Sequence, residues 1–97
     1  MGSTVSKAKL DRYFSITAEA LGKVKLSKFG DVCFNPNDIA KDFLDMAERY
    51  YHDAEYFRKK GDMVTAFAAV TYAHAWLDAG ARLGLFKVKD SRLFASD

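Results

Sequence analysis

Apolar residues recur along this chain at steps of three and four, in three blocks separated by turn-forming residues. In the first block Leu10, Phe14, Thr17, Leu21 and Val24 share one stripe, while Asp11, Arg12, Ser15, Glu19 and Lys23 fall on the other side. That spacing predicts a helix from Ser3 or Thr4, either of which serves as an N-cap, to about Val24. In the second block Ile39, Phe43, Met46, Ala47, Tyr50, Ala54 and Phe57 form a broad face opposite Lys41, Asp45, Glu48, His52, Glu55 and Lys59. Its start is marked twice: Asn35 accepts from the first free N–H groups, and Pro36 occupies the first helical position, where its missing donor costs nothing. The third block, Met63 to Leu83, is apolar around more than half its circumference, with Trp76, Gly80 and several alanines. Only Thr71, His74, Asp78 and Arg82 form a polar stripe there, so this helix is expected at the centre, touching several partners.

The turns between blocks decide the topology. Arg58, Lys59 and Lys60 place positive charge at the end of the second helix, and Gly61 can take the left-handed conformation that terminates it. Asp62 follows at once as an N-cap, so the second and third helices must reverse into an antiparallel hairpin over residues 36–84. Gly84 closes the third helix, with Leu85 placed for the hydrophobic contact of a Schellman cap. Between the first two helices, Phe29, Val32 and Phe34 suggest a segment that folds back over the others. After Phe86, Val88, Leu93 and Phe94 continue the apolar pattern, and Asp90 can cap a short fourth helix. The expectation is an all-α, up-down-up antiparallel bundle of three long helices forming a single domain over residues 1–97.

Composition narrows the function more by exclusion than by assignment. With 15 basic and 13 acidic residues the net charge is +2, too balanced to imply nucleic acid or an anionic membrane. Cys33 is the single cysteine, so no internal disulfide exists and a reducing, cytoplasmic setting is expected. No apolar run reaches the length of a signal peptide or a membrane span. The opening Met1-Gly2-Ser3-Thr4-Val5-Ser6 fits an N-myristoylation pattern, but Ser3 and Thr4 serve a helix start equally well. There is no phosphate-binding glycine loop, paired-cysteine motif or nucleophile elbow, so no cofactor and no metal are expected.

Two stripes carry chemistry on paper. Asp45, Glu48, His52 and Glu55 line one helical row, the arrangement from which bundles build carboxylate–histidine metal sites. That row lies opposite the apolar face and runs His-x-x-Glu, the reverse of the bundle-core order, so a solvated ion-pair face is the simpler reading. Thr71, His74, Asp78 and Arg82 stand one turn apart, and a carboxylate beside an imidazole is the orienting half of an acid–base pair. No nucleophile stands beside them in sequence, so satisfying polar groups at a helix seam is the simpler reading, with a ligand or partner contact next and catalysis last. Basic sets at Lys23, Lys25 and Lys28 and at Lys87, Lys89 and Arg92 would meet at one end of a bundle, a third and weaker route to a phosphate partner.

The runs Tyr50-Tyr51-His52-Asp53-Ala54-Glu55-Tyr56-Phe57, Lys60-Gly61-Asp62, Ala66-Phe67-Ala68-Ala69, Tyr72-Ala73-His74-Ala75-Trp76-Leu77-Asp78-Ala79-Gly80 and Arg82-Leu83-Gly84-Leu85-Phe86 resemble the archaeal family of domain of unknown function 357. The resemblance covers the hairpin and implies a small cytoplasmic helical protein without an assigned activity. A fainter similarity to tetratricopeptide hairpins is limited to one unit, where arrays need three. A loose likeness to HEPN ribonucleases fails on spacing, since only two residues separate Arg49 from His52. The function expected is therefore a non-enzymatic, self-associating protein-interaction module, because three helices leave much apolar surface uncovered. A small-molecule binder or enzyme using His74, Asp78 and Arg82 is the alternative.

Overall fold

The computed structural model describes residues 4–28 and 35–94, and among these it contains three helices and no strand. They are α1 (Lys7–Lys23), α2 (Pro36–Lys59) and α3 (Met63–Arg82). The expected hairpin forms, and its caps follow the sequence closely. Asn35 Oδ1 accepts from the N–H groups of Asn37 at 3.1 Å and Asp38 at 3.3 Å, with Pro36 opening the helix. At the far end Gly61 has φ +82°, and the N–H groups of Gly61 and Asp62 donate to the carbonyls of Arg58 and Phe57. That pair of bonds is a complete Schellman cap. Asp62 Oδ1 then accepts from the Thr65 N–H at 3.1 Å and opens α3.

The end of α3 repeats the device one element later. Gly84 has φ +76°, and the N–H groups of Gly84 and Leu85 donate to the carbonyls of Ala81 and Gly80. The hydrophobic contact of this cap differs from expectation, because Gly80 offers Leu85 no side chain. Phe86 lies on Gly80 instead, so tightly that a Cβ added at Gly80 would overlap its ring. Gly80 thus admits an aromatic ring from the tail.

The seam between α2 and α3 is built from small residues. Ala54 and Ala66, then Ala47 and Ala73, stand at equal distances either side of the turn, and all four are buried. Alanine at the line of contact lets two helices approach closely and moves the large side chains to the flanks. Consequently no large side chain among the described residues is fully buried.

Three expectations are corrected. The first helix starts at Lys7, not at Ser3 or Thr4, because Ser6 is the residue whose hydroxyl accepts from the N–H three positions on, at 3.1 Å. Among the described residues the tail forms no fourth helix: residues 91–93 make a turn in which Asp90 accepts the Arg92 N–H at 3.0 Å and binds the guanidinium at 2.8 Å. Closing a carboxylate onto its own loop two residues away favours a turn over helix propagation. Finally, among the described residues α2 is the one helix that α3 packs on, with Phe86 and Phe94 of the tail also reaching it, and α1 contacts neither helix of the hairpin. The radius of gyration is 16.1 Å, above the roughly 13 Å of a compact chain near 100 residues. The readings placed on Phe29, Val32, Cys33 and Phe34, and on the Met1-Gly2-Ser3 opening, lie outside the described residues.

Candidate interaction surfaces

Because the seam is alanine, each flank of the hairpin carries large apolar groups. One flank is an aromatic ladder. Phe43 meets Trp76 edge-on at 5.0 Å between ring centres, and Tyr50 meets Tyr72 at 4.4 Å. Tyr72 in turn contacts Trp76 at 6.3 Å, which links the two pairs across α2 and α3. Edge-to-face rings add stability beyond their buried area, about 0.5–1.5 kcal/mol per pair. The ladder nonetheless remains open to solvent: Phe43, Tyr50 and Trp76 are half-buried and Tyr72 is exposed.

The opposite flank is a groove. Its floor is Ala47, Ala54, Ala66 and Ala73, and its walls are Leu44 and Tyr51 from α2 against Met63, Phe67, Val70 and Leu77 from α3. Phe67 is 72% exposed and Met63 58%. An apolar trough of this length, edged by Glu48, His52, Glu55 and Arg58, has the form into which an amphipathic helix lays its apolar face. The sequence reading gave Leu44, Met63 and Phe67 no place on an apolar face, because they stand one helical step beyond the seam. The signal that could have found them is the alanine pattern itself, since small residues at a seam imply that the bulk sits beside it.

The polar stripe on α3 forms in part. His74 Nε2 lies 3.5 Å from Asp78 Oδ1, with side chains 49% and 31% exposed, and Phe94 stacks on the imidazole at 6.3 Å. Thr71 and Arg82 are exposed, and the hollow beside Val70, Thr71, His74, Ala75 and Asp78 is a shallow surface feature. Such a row satisfies polar groups at the groove's edge and encloses nothing. On α2, Asp45 pairs with Arg49 at 2.9 Å and His52 Nδ1 lies 3.2 Å from Glu55 Oε1, all on the solvent side. Among the described residues no group of three or more His, Cys, Asp or Glu side chains could hold a metal ion.

Charge is distributed rather than focused. Hydrogen bonds from the Thr65 side chain and backbone hold the Asp62 carboxyl below its ordinary value of 3.8, and the Lys9 charge acts in the same direction. Asp90 is held below that value by hydrogen bonds from the Arg92 side chain and backbone, and Arg92 is raised in return. One of the three cations of the tail set is thereby neutralised. Lys23 closes α1, and among the described residues α1 contacts neither helix of the hairpin. No helix of the described chain is long and apolar enough to cross a membrane.

No curated protein and no solved structure matches the chain. Over residues 12–86, a stretch that begins within α1, includes the whole hairpin and ends on the ring that covers Gly80, the sequence matches a family described only as protein of unknown function. The chain belongs to that family, DUF357.

Proposed function

We propose that this protein is a non-enzymatic helical interaction module that self-associates through the aromatic flank of its hairpin. The observation that carries the reading is the count of surfaces: the hairpin has two apolar flanks, and one further helix of the same chain can cover only one of them. The remaining flank needs a partner. Tyr72, Trp76, Tyr50 and Phe43 suit that role, since aromatic rings are enriched at interface centres and supply large contact area at small entropic cost. A two-fold arrangement would set the same ladder on both copies against itself.

In this reading residues 1–97 act as one domain, with α1 as the third member of an up-down-up bundle. The setting is the cytoplasm of an archaeal host, which the family resemblance implies and the single cysteine suits. Sedimentation velocity on the full chain tests the proposal. A dimer is expected at micromolar concentration, and Tyr72→Asp is expected to shift it to monomer. A wild-type monomer that binds no hydrophobic dye would overturn it.

A further inference from the structure

The flank left to α1 can be identified, and with it the register in which α1 binds. Isolated helices of α1's length are marginal in water even when rich in alanine. The 17 residues of α1 include Tyr13, Phe14, Ile16, Thr17 and Gly22, all poorer helix formers than alanine. Ser6 capping and the exposed i,i+4 pairs Lys7–Asp11 and Glu19–Lys23 support the helix without being enough to hold it alone. A helix here therefore requires tertiary packing, yet Phe14, Leu21 and Val24 are about seven-tenths exposed in the described arrangement.

The groove supplies what the stripe lacks. Leu10 to Val24 on α1 and Met63 to Leu77 on α3 have the same sequence spacing, fourteen residues, or about 21 Å at helical rise. Direction is set by the connection: twelve residues join α1 to α2 most readily when α1 ends beside the start of α2, which puts the start of α1 beside the start of α3. Running parallel to α3 from that end, Phe14 comes level with Phe67, Thr17 with Val70, Leu21 with His74 and Val24 with Leu77. The charges agree: α1 carries Lys7, Lys9, Arg12 and Lys23 against Asp11 and Glu19, net +2. Residues 36–82 of the hairpin carry eight carboxylates and six cations, net −2.

The twelve residues from Val24 to Asn35 decide between the same chain and a second copy. In this register α1 ends beside the start of α2, a gap far below the roughly 40 Å that twelve residues can span. A connection that reaches without strain gives an effective concentration of order millimolar, which outcompetes a second chain at micromolar levels. We infer that α1 docks intramolecularly in the groove between Leu44, Tyr51, Met63, Phe67, Val70 and Leu77, in the register that sets Thr17 against Val70. The inference deepens the self-association reading by assigning the groove to α1 and leaving the aromatic ladder to the partner.

The test uses the full chain with Cys33→Ser as background. Thr17→Cys with Val70→Cys should form a disulfide within one chain, at a rate unchanged between about 1 μM and about 100 μM protein. Glu19→Cys with Val70→Cys, on the far side of α1, should form none. A bond between two chains, no bond, or equal bonding in the control overturns the inference. Leu21→Asp gives an independent reading. Docking predicts a melting midpoint lowered by roughly 5 °C or more and new hydrophobic-dye binding, whereas a neutral Leu21→Asp sinks the docked register. A chain that is monomeric but forms the intramolecular bond would refute self-association and leave the docking intact.

Discussion

The hairpin and α1 use the same periodicity to different ends. In α2 and α3 the seam positions are alanine, the caps at Asn35, Gly61, Asp62 and Gly84 are fully bonded, and the partner is fixed by a turn of three residues. In α1 the stripe positions are large, the cap is a single serine, and twelve residues separate it from the next helix. Short connections convert amphipathicity into packing at once, because almost no loop entropy opposes the contact. A long connection leaves the same amphipathic signal intact while saying nothing about which surface receives it. The difference teaches that a helical stripe is a demand for a partner, and only chain geometry names the partner.

The sharpest break in the comparison is a bulky residue at the seam. Ala73→Leu forces side chain into a contact line that has none to spare, and should cost about 1–3 kcal/mol in urea unfolding. Ala18→Leu on α1 should change stability little by the same measurement. Next in size is the turn. Gly61→Val places a β-branched residue at φ +82° and should cost on the order of 1–2 kcal/mol, although open space surrounds the site. Its counterpart on α1 has the opposite sign: Gly22 has no positive φ, so Gly22→Ala should raise helicity by circular dichroism and stabilise by up to about 1 kcal/mol. The smallest effect is pH-dependent. Asp62 is held below its unfolded value by its bonds to Thr65, so its contribution is present above about pH 4 and fades as pH falls through the lower folded value. Asp62→Ala should lower the melting midpoint at neutral pH and flatten that part of the acid limb, which thermal melts between about pH 2 and pH 7 will show.

The hairpin was legible residue by residue, because its signals are local. Asn35-Pro36, Gly61-Asp62 and Gly84 each act within one turn of backbone, and the structure places a bonded cap at every one. The start of α1 was less legible, since Ser3, Thr4 and Ser6 are chemically near-equivalent caps and only the one with a bonded N–H wins. Asp90 misled for a related reason: the same carboxylate that caps a helix also closes a turn, and Arg92 two residues on decided the matter. The interaction flanks were visible only in outline. Which large residues stand beside an alanine seam depends on how close two helices come, and that distance is a property of the pair.

The contact of Phe86 with Gly80 also defines the smallest piece of this protein worth expressing. A fragment trimmed at the last helical residue would keep every hydrogen bond within α3, yet it would strip the ring from a bare stretch of backbone and leave that end of the hairpin wet. Gly80 would then act as a weak point in the last turn of α3 instead of a socket. Boundaries drawn for recombinant work on this family should therefore fall beyond Phe86, where secondary structure alone would have advised cutting sooner.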